Sequence, residues 1–237
     1  MLDGSYILPP GSHEGTQLLF QSIAQIREKV PPNSIRQIID RDEWYYAWRH
    51  KQETTSSSQS GLHFGHYVSG ANSDMISDVH ALKTSIALHH GIALSRWKSG
   101  LCVMIEKVAG VKLISKLRAI LLMEADFNAA NKIIFGQRML NNVRQHRLMP
   151  EEIFSEKQCM AEDGILAKTL FYDISRQLRA PAALASVDAA NCYDRVAHAV
   201  ASLVFRAVGA QLPMTLTMLT AIQQMQFFLR TAFGDSN

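Results

Sequence analysis

The chain has 237 residues, 47% of them apolar and 19% charged, with a formal net charge of +3 and a pI near 8.8. That length can bury a sizeable core in one large domain or two small ones, and the balance excludes an unfolded, highly charged chain. The mild basic excess permits a polyanionic partner without demanding one.

Residues 1–15 (MLDGSYILPPGSHEG) are rich in Gly, Pro and Ser and read as an irregular lead-in. They lack the basic start and apolar centre of a secretory signal, and no run of eighteen apolar residues follows that could span a membrane. Cys102, Cys159 and Cys192 are odd in number and lack metal-site spacing, which fits a reduced, intracellular protein.

Leu18, Leu19, Ile23, Ile26 and Val30 predict a helix over 16–30, stopped by Pro31-Pro32. Ser34 is placed to cap a second helix through about Lys51 carrying Trp44, Tyr45, Tyr46 and Trp48, an aromatic cluster expected in the core. Thr54–Gly61 (TTSSSQSG) reads as loop, and the stretch with His63 and His66 also reads as irregular. Ser73 starts a helix through His90, ended by Gly91, and a shorter helix follows over 92–98. Leu101–Glu106 and Leu117–Met123 read as paired strands. Helices are predicted over 125–147, 162–179, 195–208 and 213–224, a strand over 182–188, and the start of another over 227–233. The fold class is α+β and helix-rich, without an internal repeat.

Two stretches carry possible chemistry. In SVDAANCYDRVAH, residues 186–198, an apolar run ends in Asp188, and Tyr193 and Asp194 follow. Strand alternation sends Val187 and Asp188 to opposite faces, so a buried Val187 leaves the carboxylate at the strand's exposed end. There it could bind a hard cation such as Mg²⁺, with the Ala189 carbonyl close by, or serve only as a strand end, with Asp194 capping the next helix. The second stretch, residues 95–118, sets Arg96, Lys98, Lys107, Lys112, Lys116 and Arg118 against Glu106. Phosphate contacts and a solvated hairpin explain that surplus equally well, and Arg118 is the better phosphate ligand because a guanidinium fork matches phosphate oxygens. The histidines at 63, 66, 80, 89 and 90 have no structural-zinc spacing. Cys192 has no base placed beside it, and Met214, Met218 and Met225 read as core.

Together these segments resemble a known family. SVDAANCYDRVAH is similar to the first catalytic block of reverse transcriptases of non-LTR retroelements and group II introns, with Val187, Asp188, Tyr193, Asp194, Val196 and His198 in register. Tyr193 stands where the family usually has Phe. VMIEKVAGVKLISKLRAILLMEADFN resembles the family's fingers hairpin, with Lys107 ending one strand and Arg118 opening the next, although Ala119 replaces the usual Pro. SSSQSGLHFGHY and ANKIIFGQRMLNNVRQHRLMPEEIFSEKQ resemble flanking segments, so the likeness runs from about Glu53 to the end.

The resemblance implies right-hand polymerase fingers and a partial palm, an RNA template with a DNA primer, deoxynucleoside triphosphates as substrates, and two Mg²⁺ ions. On that basis 1–52 is a helical lead-in, 53–181 fingers-like and 182–237 a partial palm. Asp188 would be catalytic and bind both metals, Ala189 would lend a carbonyl, Lys107 and Arg118 would hold the triphosphate, and Tyr193 would reject a ribose 2′-hydroxyl. The family's second acidic block is missing, since the sequence contains no Asp-Asp pair. The expectation is therefore a polymerase cut within the palm and inactive alone. The alternative is a helix-rich RNA- or protein-binding remnant without catalysis.

Overall fold

The computed structural model describes residues 2, 5–52, 58–111, 113–150, 160–187, 195–231 and 234–236. By its contacts the chain divides into a larger unit, residues 1–142 with 198–237, and a smaller one, residues 143–197. These bounds follow compactness, whereas 1–52, 53–181 and 182–237 follow the resemblance.

The larger unit begins with α1, Glu14–Lys29, which packs on α8, His198–Ala207. The next helix is shorter than the sequence predicts. Residues 35–40 are extended, and α2 runs only over Arg41–Trp48. Asp40 rather than Ser34 starts it, through a capping box: the Glu43 amide donates to the Asp40 carboxylate at 2.9 Å, and the Asp40 amide donates to the Glu43 carboxylate at 3.0 Å. The Glu43 amide, then Arg36, holds the Asp40 carboxyl below the usual carboxylate range. Ser34 instead accepts a bond from Asn142 at 3.0 Å. The extended segment still buries Ile35 and Ile39.

Where a loop is expected, Phe64–Ala71 forms α3, its first turn closed by the His63 amide donating to His66 Nδ1 at 3.0 Å. Helix α4, Asp74–His90, matches its predicted span, but the Ser73 side chain makes no cap bond. Gly91 ends it in the left-handed conformation at φ 71°, which a side chain adopts only at a cost. The helix expected over 92–98 is a single 3-10 turn, Ser95–Lys98.

Strands β1, Ser99–Glu106, and β2, Leu117–Leu122, pair antiparallel from Leu101↔Leu122 to Glu106↔Leu117. Beyond them, the long helix predicted over 125–147 is α5, Ala125–Asn131, then a π-helical stretch over Lys132–Met139, then α6, Leu140–Gln145. Arg138, in the π-helical stretch, reaches the Glu43 carboxylate at 2.5 Å and the Ile38 carbonyl at 2.8 Å, tying this helix to the extended segment before α2. Helix α9, Leu212–Gln223, with Pro in its first turn, packs on α4. It leads into β3, Gln226–Thr231, which lies parallel to β1, and β4, Gly234–Asp235, completes the sheet order β2-β1-β3-β4. The structure is thus α+β.

Two clusters fill the core. Trp44, Trp48, Phe64 and Tyr67 pack with Leu88, Ile134 and Met214, and Trp48 stacks on Tyr67 at 4.7 Å. Trp97 and Phe127 pack with Ala87, Ala93 and Ala221. The aromatic run of α2 is therefore divided: its tryptophans are buried, while Tyr45 and Tyr46 face outward, with Arg49 4.3 Å over the Tyr46 ring. Met214 and Met225 are buried as the sequence implies.

In the smaller unit, α7, Ala161–Gln177, buries none of its residues. The strand predicted over 182–188 is corrected in its described part. Residues 182–187 form no strand and are all exposed, and Val187 is 90% exposed. Among the described residues no strand pairs with this segment. Without a partner, an apolar run has no sheet to join.

Candidate nucleic-acid interface

Of the residues the sequence nominates, the structure brings Lys107 and Arg118 together. Arg118 lies directly opposite Ile105, and directly opposed residues share a face of the sheet. Lys107 continues that face one pair past Glu106, its amide donating to the Lys116 carbonyl at 3.1 Å. Lys107, Lys116 and Arg118 thus cluster at one end of the hairpin, all exposed, and no carboxylate pairs with them among the described residues. Glu106 falls on the opposite face, where its carboxylate accepts the Gly110 amide at 2.7 Å in the turn. The one acid of the hairpin is spent on its own backbone, which leaves the cationic face uncompensated.

The other cations of residues 95–118 go elsewhere. Arg96 is drawn inward to the carboxylates of Glu124 and Asp126 and is no part of the exposed face. Lys98 is half-buried in the 3-10 turn before β1, and Lys112 lies outside the described residues. So do Asp188, Ala189, Tyr193, Asp194, Cys159 and Cys192.

The inner end of the hairpin is the part the sequence reading missed. Directly after β2, Glu124 and Asp126 are both buried, Asp126 at 0% exposure. Asp126 accepts the Trp97 indole N–H at 2.9 Å, accepts from Lys83 Nζ at 3.3 Å and pairs with Arg96. Glu124 accepts the hydroxyls of Ser58 and Ser60, the latter at 3.0 Å, with Arg96 Nε 3.8 Å away. A pocket of about 280 Å³, lined by Gln59, Ser60, Arg96, Ser99 and Glu124, opens beside it. Burial, reinforced by the Arg96 charge, pushes the Lys83 ammonium down to about 8. Burial also lowers the imidazole of His80, which lies 3.2 Å from Lys83 and stacks on Trp44, and raises the Tyr67 hydroxyl.

Buried charges persist only when paired and hydrogen-bonded, and here two acids meet two bases, two hydroxyls and an indole. This network joins α4, the turn before β1 and the start of α5, the elements from which the hairpin projects. Its signal was present in the sequence as LLMEAD, two acids closing an apolar run.

Among the described residues no group of three His, Cys, Asp or Glu side chains is placed to hold a metal ion, and no helix is long and apolar enough to cross a membrane. No protein-family profile matches the chain, and none of the curated proteins is similar to it.

Proposed function

We propose that the β1–β2 hairpin is a phosphate-holding arm and that the chain is the fingers and partial palm of an RNA-directed DNA polymerase of the reverse-transcriptase type. The observation that carries this reading is the placing of Lys107 and Arg118 at the exposed end of a hairpin whose base is clamped by ion pairs to buried carboxylates. Lys and Arg on a rigid arm hold phosphate oxygens without reading sequence, which suits a triphosphate or a nucleic-acid backbone. In this proposal Asp188 and the Ala189 carbonyl hold magnesium, and Tyr193 guards the sugar. Those three assignments rest on the motif alone, because the residues lie outside the described ones.

A second reading, a nucleic-acid-binding module without catalysis, is favoured by segment 182–187, which is exposed and forms no strand. Titration with a deoxynucleoside triphosphate separates the two. On the polymerase reading, binding requires Mg²⁺ and is lost in both Arg118→Ala and Asp188→Asn. On the second reading, the chain binds an oligonucleotide in a salt-dependent manner, and neither Mg²⁺ nor Asp188→Asn changes it. Triphosphate binding that survives Arg118→Ala and Lys107→Ala together would refute the hairpin's role.

A further inference from the structure

Helix α2 divides its charges between its two ends. At the N-terminal end the carboxylates are held by arginines: Arg36 reaches both Asp40 and Glu43 at 2.9 Å, Arg138 also pairs with Glu43, and Arg41 lies 3.2 Å from Asp74 and 3.5 Å from Asp42. At the C-terminal end Arg49 and His50 are exposed, Lys51 is half-buried, and the exposed Lys132 reaches the Lys51 side chain from the π-helical stretch. Among the described residues no carboxylate pairs with Arg49, Lys51 or Lys132. The negative end of the helix dipole accounts for Arg49 and Lys51, but not for Lys132, which comes from another element and sets a second ammonium beside Lys51. Burial, then the Lys132 charge, lowers the Lys51 ammonium from its ordinary value. A phosphate group between the two lysines replaces their repulsion with two charge-assisted hydrogen bonds.

Between the charged ends lie two aromatic rings that the core does not use. Trp44 and Trp48 fill the interior, whereas Tyr45 and Tyr46 are 37% and 58% exposed. The two tyrosine rings meet edge to face at 5.5 Å, and Arg49 lies 4.3 Å over the Tyr46 ring, which fixes its plane beside the cations. A groove of about 430 Å³ runs from both tyrosines toward Arg41, Asn72 and Ser77. Exposed rings next to unpaired cations suit a chain of bases and phosphates: the rings stack on base faces without reading sequence, and the cations hold the backbone. A duplex keeps its base faces stacked inside, so only a single strand can offer both.

We propose that the outward side of α2 binds a single-stranded nucleic acid, with bases stacked on Tyr45 and Tyr46 and phosphates held by Arg49, Lys51 and Lys132. The surface uses no residue of the β1–β2 hairpin, so either can fail without the other.

Fluorescence anisotropy with a labelled oligothymidylate tests it, in the full chain carrying Lys107→Ala and Arg118→Ala so that the hairpin contributes nothing. Binding is expected to persist in that background and to exceed binding to the oligothymidylate–oligoadenylate duplex. Tyr46→Ala should weaken it about tenfold with no change in its salt dependence, and Tyr46→Phe, which keeps the ring, should leave it intact. Lys51→Gln and Lys132→Gln should each lower the slope of log affinity against log salt by about 0.7. These side chains are exposed or half-buried, so each variant is expected to keep its circular dichroism. Loss of all binding in the hairpin background, full affinity in Tyr46→Ala, an unchanged slope in the combined lysine variant, or equal affinity for the duplex or for polyglutamate would each overturn the proposal.

Discussion

The two ends of the β1–β2 hairpin use charge in opposite ways. At the base, Glu124 and Asp126 are buried and Arg96 and Lys83 partly so, and each meets an opposite charge or a hydrogen-bond partner. At the tip, Lys107, Lys116 and Arg118 are exposed and have no carboxylate partner among the described residues. Removing a charge at the base strands another in a low-dielectric interior, whereas removing one at the tip changes only what the surface can attract. Base charges should therefore be read in stability, and tip charges in binding.

The largest effect is expected from Asp126→Ala. It strands Arg96 and Lys83 and frees the Trp97 indole, and denaturant unfolding should show a loss of about 3–5 kcal/mol. A loss under about 1 kcal/mol would mean that the base is a surface-like ion pair. Trp48→Ala, in the aromatic cluster beside it, should cost about as much, roughly 3–5 kcal/mol, through the cavity it leaves.

Lys83 gives the comparison a pH axis. Its folded value of about 8 lies below the ordinary 10.5, so between those values the unfolded chain holds the extra proton. Stability therefore rises with pH across that window as the penalty on the charged form is relieved. Melting temperatures between pH 7.5 and 10 should climb more steeply in the native chain than in Lys83→Met, and parallel curves would refute the assignment.

Arg118→Ala reports from the other end. Its stability should change by no more than about 0.5 kcal/mol, while the slope of log affinity for an oligonucleotide against log salt should fall by about one. An unchanged slope would remove Arg118 from the interface. Asp40→Ala should lower stability by about 1 kcal/mol, through the α2 capping box. The Asp40 contribution is present above the ordinary carboxylate value and disappears as pH falls through the lower folded one.

Local patterns carried far into the fold. The apolar spacing of 16–30, the Gly91 stop and the alternation of 101–106 with 117–123 each yield an element close to its predicted span. What failed were readings that needed a partner. Ala182–Val187 has the composition of a buried strand but pairs with no strand among the described residues. Phe64–Ala71 looks irregular because Gly and His obscure its period, yet Phe64, Tyr67 and Ala71 give it a buried face. Ser34 with Gln37 and Asp40 with Glu43 both have capping-box spacing, and the difference lies in tertiary contacts: Gln37 is buried and bonded to His89, while Glu43 completes the box at Asp40.

The candidate site shows the same limit. An acid closes an apolar run at Val187-Asp188 and again at Met123-Glu124-Ala125-Asp126. In the second case the carboxylates turn to Arg96, Lys83, Trp97 and two serines rather than to a ligand. The short stretch marks the two acids but not their partners, which come from residues 58–97.

By itself, the order of residues determined the helices, the hairpin and the basic character of its tip, since these depend on periodicity and charge within a few positions. Tertiary structure alone decided which charges are buried, which face of α4 meets solvent, and that Arg96 leaves the basic cluster for the interior. Those outcomes depend on desolvation and pairing across long sequence separations, and a charged side chain carries no local mark of the environment it will occupy.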